Sequence, residues 1–240
     1  MLFYGIEFIF WYEGSIDMAQ LLSVWEYFLR VSQNISSGLS VTLGLFVFTI
    51  LFSLPLGLII SLGAIGSFKP LTAIVKFYIW ILRGTPLLLQ LLFVYFGLPI
   101  LFNVNIDNFS AAILAFVLNY AAYYAEIFRA GIQSIDKGQF EAAKALGLSN
   151  SQMMFKVVIP QTVSRVLPPV GNEAITLVKD TSLVSIIALS DIMHQTKIIV
   201  MREASVEAFV VAAVFYLIMT FVLTKLFSYL EKHFSKSQLV

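Results

Sequence analysis

The chain has 240 residues, 59% of them hydrophobic and 12% charged, with a mean hydropathy of +0.89 and a formal net charge of +1. A soluble domain cannot bury that much apolar surface, so one membrane domain with several spans is expected; the near-neutral charge gives no reason to expect a nucleic-acid partner. The absence of cysteine excludes disulfides and thiolate metal sites.

Met1 to Trp11 is apolar, but Glu7 interrupts it and no Lys or Arg precedes it, so it does not read as a secretory signal. Residues 1–36 read as a lead-in lying on the bilayer surface, because Trp11, Tyr12, Trp25, Tyr27 and Phe28 are rings that favour the interface. The first span is expected from Leu39 to Leu62, with Pro55 and Gly57 inside it. The second runs from Leu71 to Phe102, which is too long for one straight crossing. A kink is expected where Arg83, Gly84, Thr85 and Pro86 interrupt it.

A short polar loop, Asn103 to Asn108, leads to a third span from Phe109 to Phe128. The fourth is expected from Val166 to Leu189 and the fifth from Ala208 to Leu226. The fold class is therefore all-α and polytopic, with about five transmembrane helices. The expected division is a lead-in at 1–36, a transmembrane domain at 37–232 and a polar tail at 233–240.

Basic residues orient the spans. Lys69, Lys76, Arg129, Lys137, Lys144, Lys156, Arg165, Lys225, Lys232 and Lys236 fall on one set of loops, against Arg30, Lys197 and Arg202 on the other. The positive-inside rule places the loop around Glu141 and the C-terminus in the cytoplasm, and the N-terminus outside.

The fourth span carries Asn172, Glu173, Thr176, Lys179 and Asp180 at membrane depth. At about 100° per residue they share an arc of roughly 120°. A charged group facing lipid costs a few kcal/mol, so this arc should face protein or water. Pro168 and Pro169 at its start permit irregular backbone, which is tolerated where it lines a cavity. One reading is a buried structural network with Lys179 paired to Asp180 or Glu173. The other is a translocation path in which Glu173 faces a cationic group of the substrate and Asn172 and Thr176 orient it.

Three further sets of residues carry expectations. Glu126 and Arg129 are spaced i, i+3 and are expected to pair on one helix face. Arg83, beside the Pro86 break, either holds a helix end or forms the moving joint of a gate. Tyr120, Tyr123 and Tyr124 either line the path or simply pack.

Between the third and fourth spans lies EAAKALGLSNSQMMFKVVIP, Glu141 to Pro160. Ala142, Ala143, Ala145 and Leu146 favour a short helix, about 138–148, and Gly147 stops it. Ser149 or Asn150 is placed to cap a new helix from Gln152.

Glu141, Ala142 and Ala143, three residues, Gly147, nine residues, Val157, one residue, then Ile159 and Pro160 resemble the EAA loop of ATP-binding-cassette importer permeases. Every spacing of that pattern is kept, and Val157 and Ile159 replace its two aliphatics. RGTPLLLQL at Arg83 to Leu91, NYAAYYAEIFRAGI at Asn119 to Ile132 and GNEAITLVKDTSL at Gly171 to Leu183 resemble its polar amino-acid branch. The resemblance covers Ser36 to Leu230. It implies a dimeric permease whose coupling helix, through Glu141, Ala142, Ala143, Gly147 and Pro160, docks on a separate ATPase. It also implies delivery of substrate by an extracytoplasmic amino-acid-binding protein.

The phosphate-binding pattern G-x-x-x-x-G-K-[ST] does not occur in the chain, so ATP and Mg are expected on the ATPase and no cofactor here. The expected substrate path comprises Glu173, Asn172, Thr176, Lys179, Asp180 and Tyr120. The competing function is a stand-alone secondary transporter, which would call for inverted repeats that the sequence does not display. An intramembrane protease would need histidines in a motif, and His194 and His233 stand apart. Two questions stay open at this point: whether Glu173 meets an α-ammonium or a basic side chain, and whether the second permease is a copy or a sister chain.

Overall fold

The computed structural model describes residues 18–236; Trp11 and Tyr12 of the lead-in and residues 237–240 of the tail lie outside them. The helices, in chain order, are α1 Met18–Ser36, α2 Leu39–Ile65, α3 Lys69–Gly84, α4 Leu87–Phe102, α5 Asn108–Gln133, α6 Lys137–Ala145, α7 Asn150–Ile187, α8 Ile192–Glu203 and α9 Glu207–Lys236. α2, α5 and α9 are each long and apolar enough to cross a bilayer. The pairs α3–α4 and α7–α8 bend by 106° and 54°, giving five spans if each pair is counted once.

The most closely packed pair is α2 against α5. α2 is apolar all round, and its buried face is marked by size: Thr42, Leu45, Thr49, Ser53, Gly57, Ser61 and Ala64 form one stripe. It meets Ala121, Tyr124 and Ala125 of α5 around Gly57. Without water, helices associate through close packing of small residues, and a small residue at every fourth position provides it. At Gly57 the approach is closest, since a Cβ there would stand 2.8 Å from Tyr124 Cβ and 3.0 Å from Ala121 O.

The break between α3 and α4 falls at Thr85–Pro86, where the sequence places it. A carbonyl freed at membrane depth must find a donor inside the protein. Gln90 Nε2 donates to Leu82 O at 2.9 Å and to Thr85 O at 3.1 Å. Asn119 Nδ2, from the middle of α5, donates to Leu82 O at 3.2 Å and to Gln90 Oε1 at 2.9 Å. Tyr78 Oη donates to Leu118 O at 2.6 Å, so α3 is stitched to α5 at the bend.

Two wide π-turns, Phe93–Gly97 and Met154–Val158, interrupt α4 and α7, and each is followed two residues later by a proline, Pro99 and Pro160. Proline has no N–H to give the preceding turn and its ring crowds the carbonyl there, so a widened turn relieves it. Pro168 and Pro169 permit irregular backbone. α7 instead runs as helix through both, Ile159–Asp180, and its irregular parts lie before Pro160 and in the tight 3-10 stretch Thr181–Ile187.

At the end of the molecule opposite α6, α1 packs on α8 and α9 through Val31, Ile35, Ile192, Ile199, Ala208 and Val211. Tyr27 Oη and Ser205 Oγ, 2.6 Å apart, and Arg30 Nη2 to Glu203, 3.3 Å, tie its outer edge. At the start of α5, hydrogen bonds from Ser110 hold the Asp107 carboxyl below its ordinary range.

Replacing Asn119 by Leu, which is similar in volume, leaves Leu82 O and Gln90 Oε1 short of a donor at a cost of about 1–3 kcal/mol. A lower thermal midpoint in detergent is expected. An unchanged midpoint would mean that packing alone holds the bend.

Candidate coupling loop and translocation path

α6 is built to be stiff although it is short. Asp136 caps it, its carboxylate accepting from Gly138 N–H at 2.6 Å. At the other end Leu148 N–H donates to Ala143 O at 3.1 Å and Gly147 N–H to Lys144 O at 2.9 Å, with Gly147 at φ +75°. This pair of bonds closes the last turn and reverses the chain, and glycine takes that φ without a Cβ penalty. Ser149 then starts α7 in a reciprocal cap: Ser149 N–H donates to Gln152 Oε1 at 2.9 Å and Gln152 N–H to Ser149 Oγ at 3.3 Å.

Beneath the loop lies its own small core of Ile135, Ala143, Met153 and Val158, with Phe140, Leu148, Met154 and Val157 against it. Ala143 is only 3% exposed and belongs to this core, whereas Glu141, Ala142 and Ala145 face outward with Leu146, 80% exposed. Gly147 and Pro160 are also exposed. Phe155, 71% exposed, adds an apolar surface that residue types alone did not single out.

Along α7 the polar arc divides in two. Asn172, Thr176 and Lys179 are exposed on one open face, while Glu173 and Asp180 are half-buried toward α5. Tyr120 Oη donates to Asp180 Oδ2 at 2.8 Å, bringing those two residues together. Among the described residues Lys179 forms no ion pair, neither with Asp180 nor with Glu173.

Glu173 lines a cavity of about 360 Å³ with Arg83, Tyr123, Glu126, Arg165 and Pro169. Arg83, Tyr123 and Glu126 also line a second cavity, of about 580 Å³, with Lys76, Trp80 and Arg129. The Arg83 guanidinium stands 5.2 Å from the centre of the Tyr123 ring. Glu126 takes Arg129 in a two-pronged pair, Nε to Oε2 at 2.8 Å and Nη2 to Oε1 at 2.5 Å, as its i, i+3 spacing suggests. Arg165 closes the lower wall by donating to Ser134 O and, at 3.0 Å, to Ser134 Oγ. The bend at Pro86 therefore delivers Arg83 to the cavity that Glu173 enters from α7. Sequence spacing cannot show this juxtaposition, because it depends on the 106° turn.

Residues 53–236 match the family described as binding-protein-dependent transport system inner membrane component. The chain is 42% identical over 191 residues to the arginine transport system permease protein ArtQ of Bacillus subtilis (strain 168), covering 79% of this chain and 87% of that protein. The probable glutamine ABC transporter permease protein GlnM of the same organism is 38% identical over 186 residues, 77% of this chain and 86% of that one. A crystal structure of an amino acid ABC transporter with histidines is 39% identical, with a TM-score of 0.80 over 88% of this chain and 97% of that chain. The inward-facing MetNI methionine ABC transporter, 17% identical with a TM-score of 0.64 over 84% and 94% of the two chains, shares the fold.

Gly147→Ala isolates the turn, because a Cβ there meets nothing within 4 Å and the cost is that of φ +75° alone. That strain, about 1 kcal/mol, should speed hydrogen exchange of the Leu148 amide by about fivefold. Unchanged exchange would show that the loop core, not the glycine turn, fixes α6.

Proposed function

The chain belongs to the family of binding-protein-dependent transport system inner membrane components, and from that premise we propose that it carries amino acids inward on energy supplied by a separate ATPase. As a member of that family it is a multi-pass permease subunit of the prokaryotic inner membrane. One observation carries the coupling part of the reading. α6 presents Glu141, Ala142, Ala145 and Leu146 outward on a loop closed by its own core, on a chain that contains no phosphate-binding loop.

In this reading the α6 loop lies in the cytoplasm, and the ATPase, which holds ATP and Mg, receives α6 in a groove. Ala142 and Ala145 allow close approach, Leu146 and Phe155 supply apolar contact, and Glu141 offers a charge-assisted bond. α7 starts at Ser149 on this loop and continues as one helix to Glu173 and beyond. Movement of α6 is thereby passed to the path through a single element, with the wide turn before Pro160 as its pliant point. An extracytoplasmic binding protein delivers the substrate at the opposite end, and a second permease completes the assembly.

The cavity fits the cargo. Glu173 provides one carboxylate and Arg83 one guanidinium, the complements of an α-ammonium and an α-carboxylate. Tyr123 offers an aromatic wall beside Arg83. The charge available to the ammonium lies on α7, which α6 moves, whereas the charge available to the carboxylate lies at the end of α3.

The test is to purify the tagged chain with its membrane partners, identify an associated ATPase, and reconstitute the complex in proteoliposomes with labelled amino acids. Glu173→Gln should lower uptake by about 30-fold or more while the ATPase still co-purifies. Normal uptake by that variant would remove Glu173 from the site, and the absence of any ATPase in the purified complex would overturn the coupling role of α6.

A further inference from the structure

Two carboxylates at the end of the molecule opposite α6 are treated differently. Glu203 takes two guanidiniums, Arg30 Nη2 at 3.3 Å and Arg202 Nη2 at 2.8 Å. Glu207, on the first turn of α9, forms no ion pair among the described residues and accepts a hydrogen bond from Ser205 Oγ. The Ser205 hydroxyl gives its one proton to Glu207, so Tyr27 Oη is the donor in its contact with Ser205 Oγ. Donated protons thus run from Tyr27 through Ser205 to an exposed carboxylate with acceptor sites to spare.

That carboxylate lines a groove of about 560 Å³ between α1 and α9. Tyr27 and Ser205 supply hydroxyls beside it, and Val24, Phe28, Val210 and Val211 an apolar wall. Trp25 stacks on Phe28 with ring centres 5.9 Å apart and is exposed, as is Val24. Exposed Trp and Tyr rings mark the level of the lipid headgroups, and the span of α9 starts at Glu207 itself. Arg30 stands over the Tyr27 ring, 5.3 Å from its centre, which puts a guanidinium at the edge of the same groove. It shares the one carboxylate of Glu203 with Arg202, and a guanidinium has five N–H donors, so donors remain on both.

We infer that this groove holds an aminophospholipid of the phosphatidylethanolamine class. Its ammonium meets Glu207, its phosphate meets Arg30, and an acyl chain lies along Val24, Phe28 and Val210. The chain offers a carboxylate without a cation and a guanidinium with spare donors, and an ethanolamine headgroup carries the complements of both on one short arm. An ammonium donates three N–H bonds, whereas a choline headgroup has no N–H and a glycerol headgroup no cation, so the site selects among lipids. The groove has the volume of a small-molecule site and is too small for a folded partner. The segment before α1 does not match its charge: residues 1–17 carry Glu7, Glu13 and Asp17 and neither Lys nor Arg, so their side chains hold no cation for Glu207.

The lipid acts where the protein core does not. Val31 and Ile35 hold the C-terminal half of α1 on α8 and α9, whereas Leu22 to Glu26 are exposed along its first half. A lipid that spans Val24, Phe28 and Val210 fastens that first half to α9. The site is separate from the cavity of Glu173 and stands whatever the chain transports.

Native mass spectrometry of the full chain, delipidated in detergent and titrated with single phospholipids, tests the assignment. The chain should bind phosphatidylethanolamine about tenfold more tightly than phosphatidylcholine or phosphatidylglycerol, the worth of one charge-assisted hydrogen bond. Glu207→Gln keeps an acceptor for Ser205 and should erase that preference at an unchanged thermal midpoint. Arg30→Gln should weaken all three lipids, since all carry the phosphate. Equal affinity for the three lipids, a preference that survives Glu207→Gln, or binding indifferent to Arg30→Gln overturns the proposal. Glycerophosphoethanolamine, the same headgroup without acyl chains, should bind at least about tenfold more weakly than the lipid. Equal binding of the two would make this a site for a soluble amine and overturn the lipid. A preference that emerges only after removal of residues 2–17 would give the groove to that segment instead.

Discussion

The carbonyl of Leu82 accepts from both Gln90 and Asn119, and the course of the chain through the membrane depends on that junction. A helix broken inside hydrocarbon leaves backbone groups that no solvent will satisfy. Gln90 reaches back across the break and Asn119 reaches over from α5, so the 106° turn between α3 and α4 becomes a stable shape. Without those amides Pro86 would leave a strained kink. With them, the chain can end α3 at cavity depth and place Arg83 on its last turn. The reach of Asn119 depends in turn on how closely α5 is held, which the small-residue stripe of α2 decides around Gly57.

How much of this was legible in the sequence follows from which physical signal each feature leaves. Hydropathy finds segments that must leave water, so the spans were readable, and Pro86 announced the break. The ends were less readable: α2, α5 and α9 run past their apolar segments, because a helix stops where its caps say and not where lipid ends. The packing face of α2 was invisible to hydropathy, since every face is apolar and only side-chain size distinguishes Thr49, Ser53, Gly57 and Ser61 from their neighbours. Gln90 and Asn119 looked like ordinary polar residues inside resembling stretches. Their role appears only when the bend brings them together over one carbonyl.

The loop shows the opposite balance. Its spacing, its glycine stop and its serine cap were all written in local sequence, because caps and turns are short-range chemistry. What was not local was the direction of Ala143. Three alanines look alike in sequence, yet Ala143 is the residue whose carbonyl closes the turn and whose methyl fills the loop core, leaving Ala142 and Ala145 for the outer surface. The two wide turns make a similar point about proline. Pro168 and Pro169 stay within continuous helix, while Pro99 and Pro160 follow widened turns, so a proline's position within its helix matters more than its presence.

α7 gathers these features into one element with three directions. Its buried side, with Gly171 against Phe227, fixes it to α9, and its α5 side carries Glu173 and Asp180. Its open side carries Asn172, Thr176 and Lys179, which a soluble helix would simply give to water. At membrane depth the same residues are costly against lipid, so an open polar face there calls for protein or water beside it. The cavity beside Glu173 can be formed within one chain, because α3, α5 and α7 all contribute to it. The open face is exposed along Asn172, Thr176 and Lys179. One helix therefore joins the loop around α6, a charged cavity and an open polar face.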